Sequence, residues 1–220
     1  INTPMISVRE HNERSMADRL IARLAAGETV AQVSDAGTPA VSDPGAVLAA
    51  AVHAAGFKVI PIPGASALTT ALSASGFNAP HSLFYGFLPP KTKQRCDELT
   101  ALKDSPYICV FYEAPHRIYE CVADMAEVFG AEREAVLCRE LTKTFETIRR
   151  GTLAELAEWI KSDPNQQKGE SVVVVNAAPP QIHDDAGEYD KVLAPLVAEL
   201  PVKQAVALAQ RDGGARLALA

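Results

Sequence analysis

The chain has 220 residues, 48% of them hydrophobic and 22% charged, with 15 prolines and 13 glycines. That suits one large or two small globular domains and excludes collagen, coiled coil and low-complexity linker. The longest apolar runs, such as 46–52 and 172–175, are far too short for a membrane-spanning helix, and a net charge of −6 supplies no global field to gather nucleic acid, so any RNA or DNA contact has to be a local basic patch.

The elements read in chain order as follows. Met16, Leu20 and Leu24 form one stripe of a helix over 16–24 that stops at Gly27. A strand is predicted over Thr29–Val33, followed by a long structured loop, 34–45, in which Asp43 and Pro44 open the next helix. Val47, Leu48, Ala51, Val52 and Ala55 give that helix its apolar face, and Lys58–Ile62 is predicted to return as a strand broken at Pro63-Gly64. A small-residue helix over 66–75 ends at Gly76. This βαβα order predicts a parallel-type first sheet and places a first α/β domain at 1–77.

Residues 78–90 lose their period and carry Asn78, Pro80, Gly86, Pro89 and Pro90, so they read as an interdomain connection. A second α/β domain, with a mixed sheet, is expected over 91–178. Its elements are a helix over 93–103, a strand over 107–112, a helix from Pro115 with Ile118, Val122, Met125 and Phe129 on one face, strands over 135–138 and 145–150, a helix over 153–160 opened by a Thr152/Glu155 capping box, and an apolar central strand over 171–176. Beyond Pro179-Pro180, two amphipathic helices over 189–200 and 202–210 make a small helical appendage, placed at 185–220.

The four cysteines, Cys96, Cys109, Cys121 and Cys138, show no metal-ligand spacing and sit among apolar residues. They are expected to be buried reduced thiols of a cytoplasmic protein, with no zinc site. The chain opens on Ile1 without a signal-peptide pattern, and further N-terminal sequence is expected to precede it.

In open α/β sheets ligands bind at the carboxyl ends of strands, and the loops 34–45 and 63–66 both leave strands there. Neither carries a G-x-G-x-x-G or P-loop pattern. Their small residues and prolines would let a ligand lie on rigid backbone, with Asp35 available to hold a hydroxyl or a positive group. Asp43 reads mainly as a helix cap.

Five ordered motifs carry a family resemblance: S-D-A-G-T-P-A-V-S-D-P-G at 34–45, P-I-P-G-A-S-A-L-T-T-A-L-S at 61–73, F-Y-G-F-L-P at 84–89, F-Y-E-A-P-H-R at 111–117 and R-E-L-T-K-T-F-E at 139–146. The resemblance they carry covers nearly the whole chain. They resemble the tetrapyrrole methylase superfamily, and within it the bacterial methyltransferases that modify a cytidine ribose 2′-hydroxyl of small-subunit ribosomal RNA. The resemblance implies a two-domain class III methyltransferase that uses S-adenosylmethionine, forms a homodimer and holds the cofactor between its domains. It also implies a preceding strand and glycine-containing loop, so several tens of N-terminal residues are expected to be missing, along with the aromatic ending that members usually carry after the helices.

Carried over motif by motif, the resemblance places Asp35, Gly37, Thr38, Ser66 and Ala67 around the cofactor, with Glu113 and Leu141 approaching the adenosine chiefly through backbone. Methyl transfer from a sulfonium needs no metal; it needs an oxygen held in line and a route for its proton. Glu113, Glu140, Lys143 and Glu146 are the candidates for that proton, with no single base selected. Ordinary ion pairs explain any one of them equally well.

For RNA, Lys91, Lys93, Arg95 and Arg117 are candidate phosphate contacts, with Lys103 and Arg149-Arg150 adding charge; the partner is small-subunit ribosomal RNA or the assembled subunit. Phe84, Tyr85 and Phe87 are read as packing at a domain joint rather than as base-stacking residues. Two other functions stay open: a tetrapyrrole or other small-molecule methyltransferase of the same fold, and a non-catalytic ribosome assembly factor.

Overall fold

A computed structural model describes residues 3–180 and 193–213. The chain divides into one compact unit through Ala178 and a second from Pro179 onward. In chain order the first unit carries α1 (Glu13–Ala25), α2 (Ala46–Ala54), α3 (Ala67–Ser75), β1 (Ser82–Phe87), α4 (Thr92–Leu102), β2 (Ile108–Glu113), α5 (Ile118–Phe129), β3 (Glu134–Arg139), β4 (Thr147–Thr152), α6 (Leu153–Ser162) and β5 (Ser171–Val175). In the second unit, residues 193–199 are helical and a further helix runs over Val202–Gly213. Residues 181–192, where the appendage was expected to begin, lie outside the described residues.

The five strands form one mixed sheet in the order β1-β2-β5-β3-β4. β1 is parallel to β2, while β2–β5, β5–β3 and β3–β4 are antiparallel. The carboxyl ends of β1, β2 and β3 and the amino ends of β4 and β5 therefore share one edge. The central strand β5, S-V-V-V-V, is buried throughout, as a run apolar on both faces requires.

One face of the sheet packs against α4, α5 and α6. The α5 stripe Ile118, Cys121, Val122, Met125 and Phe129 interlocks there with Leu99, Phe111, Leu137, Leu153, Leu156 and Val173, each large apolar side chain contributing about 1.5–3 kcal/mol by burial. The other face, built on Val110, Val136, Cys138, Val172 and Val174, is covered by α3 through Ala67, Leu68, Ala71 and Leu72. Cys109, Cys121 and Cys138 are buried free thiols, and Cys96 is half-buried and also free. Burial pushes the Cys138 thiol up to about 11.

Two expectations about strands need correction. The segments 29–33 and 58–62 have no regular secondary structure and enter no ladder, so no parallel first sheet forms among the described residues; Val33 is 77% and Ile62 81% exposed. A β-strand is completed by hydrogen bonds to a neighbour, which composition cannot supply. Conversely, residues 82–87, read as part of a connection, are the edge strand β1, hydrogen-bonded to β2. Gly86 and the flanking prolines concealed it.

The 34–45 loop is tied down from several sides. Glu13, 6% exposed, uses its Oε1 to accept hydrogen bonds from the N–H groups of Gly45 (2.7 Å), Val47 (3.0 Å) and Leu48 (3.3 Å) at the start of α2, where the helix dipole favours a negative charge. The Gln32 amide donates to the Pro44 carbonyl at 2.9 Å. Gly45, at φ +142°, faces that amide so closely that a Cβ would collide with it. Asp43, expected as a cap, makes no side-chain hydrogen bond to α2; Glu13, distant in sequence, takes the cap's place.

Candidate functional site

The shared sheet edge gathers the loops that the motifs supply. Ala36 and Gly37 from the 34–45 loop, Ala65, Ser66, Ala67 and Thr70 around the start of α3, Cys138 and Val172 on the sheet, Leu141, Thr142 and Lys143 after β3, and Glu170 before β5 line one pocket, with about 550 Å³ of empty space including its open mouth.

Two hydrogen bonds hold its walls together. Thr38 Oγ1 donates to the Ala65 carbonyl at 3.1 Å, joining the two loops. The Leu68 N–H, in the first turn of α3, donates to the Tyr112 hydroxyl at 3.1 Å and anchors α3 on β2. Ser34 Oγ meets the carbonyls of Ala36 and Gly37, each at 3.1 Å. Gly37 has φ +69° and open space where a Cβ would be, so backbone is presented directly to the pocket.

The opposite wall is a tight turn after β3. Glu140 at φ +51° and Thr142 at φ +66° both occupy the left-handed region, an unusual placement for non-glycine residues. The turn is held by exchange with Glu170: the Glu140 N–H donates to the Glu170 carbonyl and the Glu170 N–H to Glu140 Oε1, each at 2.9 Å. Lys143 Nζ bridges Glu140 Oε1 (2.9 Å) and Glu170 Oε2 (3.0 Å), and Glu146 Oε2 accepts from the Thr142 N–H at 2.7 Å. Beneath the turn, Arg139 is buried and donates to Gln166, Lys168, Phe145 and Thr147.

The electrostatics follow from these bonds. Hydrogen bonding to Lys143 and to the Glu170 backbone lowers the Glu140 carboxyl, and hydrogen bonds to the Glu140 and Glu170 side chains raise the Lys143 ammonium. Lys143 is therefore a fixed cation at neutral pH, flanked by two carboxylates. Partial desolvation, with Asp35 and Glu170 nearby, raises the Asp43 carboxyl.

The candidate residues separate into three groups. Gly37, Ser66, Ala67, Leu141 and Lys143 line the pocket. Asp35, Thr38, Glu140 and Glu146 are in its walls, adjoining or braced against lining residues. Glu113 is not at the surface of the site: it is 2% exposed, its Oε1 pairs with Arg117 Nη2 at 2.5 Å and accepts from the Ala114 N–H at 2.7 Å, and Oε2 is buried without a partner. Ser171, whose hydroxyl is likewise unpartnered, is its register partner on β5.

Among the basic candidates, Lys91 and Lys93 are exposed at the start of α4. Arg95 is not available to a phosphate. It is 0% exposed and bonded to Asp124 (2.6 Å), the Pro90 carbonyl (3.2 Å) and Thr92 Oγ1 (3.3 Å). Arg117 is committed to Glu113. The sequence counted both among available positive charges, whereas Arg95 pairs with the partly buried Asp124 and Arg117 with the buried Glu113. Sequence reading missed Glu170, Thr70, Tyr112 and Glu13. The S/T-rich start of α3 could have signalled Thr70; nothing local signals the other three.

Comparison with known proteins places this geometry. The family described as Tetrapyrrole (Corrin/Porphyrin) Methylases matches residues 2–157. A protein of Pseudomonas aeruginosa named ribosomal RNA small subunit methyltransferase I is 51% identical over 218 residues, covering 98% of this chain and 77% of that protein. Among solved structures, the methyltransferase CobJ superposes with a TM-score of 0.57 at 22% identity, covering 79% of this chain and 78% of that one. Uroporphyrin-III C-methyl transferase from Thermus thermophilus, complexed with S-adenyl homocysteine, gives 0.50 at 14% identity, covering 74% and 73%.

Proposed function

The chain belongs to the tetrapyrrole methylase family, and from that premise we propose that it is a methyltransferase that uses S-adenosylmethionine to methylate the 2′-oxygen of a cytidine ribose in small-subunit ribosomal RNA. What carries this reading is 51% identity over 98% of the chain to a protein named for ribosomal RNA small-subunit methylation. The tetrapyrrole enzymes share the fold at 22% identity or less. A homodimer in the cytoplasm completes the proposal, and buried unpaired thiols suit a reducing compartment.

The pocket residues fit the cofactor chemically. Backbone at Gly37, Ala65, Ser66 and Ala67 offers hydrogen-bonding groups unobstructed by long side chains, Leu141 and Val172 give a flat apolar contact for an adenine, and the carboxylates of Asp35 and Glu170 complement a cationic centre. When bound, S-adenosylmethionine supplies an electrophilic sulfonium methyl. The protein's task is then to hold the ribose hydroxyl in line and exclude water.

Of the four proton-transfer candidates, Lys143 stays protonated and acts as a positioned cation that polarises a hydroxyl or steadies an adjoining phosphate. Glu140 and Glu146 shape the turn that holds it. Glu113 supports the edge from within. Lys91 and Lys93 supply phosphate contacts that orient the RNA.

The test is transfer of labelled methyl from S-adenosylmethionine to small ribosomal subunits from cells lacking the modification, followed by nuclease digestion. Label in 2′-O-methylcytidine is the expected result. Label on a tetrapyrrole, or cofactor binding without transfer to RNA, would replace this reading with the corresponding alternative.

A further inference from the structure

Phe87 ends β1, where strict alternation would place it on the same face as Leu83 and Tyr85, which pack against the helix-covered core. The register prevents this. Phe84 pairs with Val110, but Gly86 pairs with Phe111 and Phe87 with Tyr112, so Tyr85 is an extra residue in a β-bulge. Gly86 makes the bulge possible at φ +82°, and a Cβ there would come to van der Waals distance of the Ser42 hydroxyl in the motif loop. The bulge turns Phe87 onto the α3 face, the face of the pocket, as bulges beside functional sites commonly do.

There the Phe87 ring meets Tyr112 edge-on at 5.8 Å, and Tyr112 is fixed by Phe84 at 4.9 Å and by the Leu68 N–H. Tyr112 is the register partner of the pocket residue Val172. Yet Phe87 itself remains 51% exposed. A disrupted ladder and a half-bare phenyl ring both cost stability, and packing returns little of it. The ring is braced from behind and bare in front.

Its surroundings indicate what covers it. Four and six residues on, Lys91 and Lys93 are exposed at the start of α4, so two cations follow the aromatic surface closely along the chain. That is the chemistry by which proteins hold unpaired nucleotides, stacking on the base and charge on the backbone. We propose that Phe87, braced by Tyr112, is the stacking platform for the unpaired target cytosine; the inference rests on the RNA reading above and names the residue that holds the base while its ribose reaches the pocket.

The test uses the complete protein and a short single-stranded oligocytidine containing one pyrrolocytosine, whose emission reports stacking, together with methyl transfer to small subunits. Phe87→Ala should abolish the emission change, weaken RNA binding about tenfold to a hundredfold and raise KM for subunits more than it lowers kcat. Its S-adenosylmethionine affinity should match wild type, which establishes that the pocket remains folded. Phe87→Trp should restore stacking, and Tyr107→Ala, which alters an exposed aromatic at the opposite sheet edge, should behave as wild type. Wild-type emission and KM in Phe87→Ala, with methyl transfer intact, would overturn the stacking role alone. No methyl transfer to RNA by wild-type protein would overturn the RNA reading and this inference with it.

Discussion

Residues 108–175 and residues 28–66 both contain short apolar segments of strand-like composition, and they end differently. In the sheet body, Ile108–Glu113, Glu134–Arg139 and Ser171–Val175 are paired on both sides and, apart from Tyr112 and Glu134, buried. In the earlier region, Thr29–Val33 and Lys58–Ile62 form no ladder and are solvent-facing, with Ile60 and Ile62 exposed. The lesson is that apolar β-branched residues allow a strand while a neighbour creates it, because half of the backbone hydrogen bonds in a ladder belong to someone else. What orders the earlier region instead is a helix cap and a few loop bonds.

Substitutions can break or sharpen this contrast. The largest effect should come from Asp124→Ala, which leaves the guanidinium of Arg95 buried without its partner; a loss of about 3–5 kcal/mol in urea unfolding is expected. Leu137→Ala, in the fully buried centre of β3, should cost about 2–5 kcal/mol by opening a cavity. If either variant unfolded at the wild-type midpoint, the sheet body would not be the stabilising core.

Glu13→Ala tests the region without a sheet. It strips three N–H groups at the start of α2 of their acceptor, and a loss of about 1–3 kcal/mol is expected, with Glu13→Gln recovering part. A neutral result would mean that the 34–45 loop does not depend on the cap.

Lys143→Met should cost less than about 1 kcal/mol, since the pair is partly exposed. The cost should depend on pH in a defined direction. The Glu140 carboxyl is lowered in the folded protein, so its contribution is fully present above the ordinary carboxylate value and disappears as pH falls through the lowered folded value. Wild type and variant should therefore converge in acid; a gap that persisted there would assign the effect to packing. The smallest change is expected for Ile62→Ala, within about 0.5 kcal/mol of wild type, because that side chain is 81% exposed. A loss as large as that of Leu137→Ala would erase the comparison.

Much of the site was legible because its residues are local and motif-bound. Gly37, Ser66, Ala67 and Leu141 were reached through the family resemblance of their motifs and Lys143 as a charged residue within one, and all line the pocket. Glu170 and Tyr112 were not legible, since their roles depend on register: Glu170 reaches Glu140 thirty positions away, and Tyr112 meets the N-terminus of α3 across forty-four. Arg95 and Glu113 misled for the complementary reason. A charged side chain in a motif looks the same whether it faces solvent or a buried partner.

By itself, the sequence determined the class of fold, the helices and their apolar faces, the strands of the second half, the buried free thiols and the motif loops that meet at one pocket. These follow from side-chain period, capping chemistry and turn residues, which act over a few positions. Tertiary structure alone decided which apolar segments became strands, which charges were buried in pairs and which way Phe87 points. Each of those depends on a neighbour brought from far along the chain: a ladder partner, a counter-charge, or one extra residue in a bulge that reverses the face of everything after it.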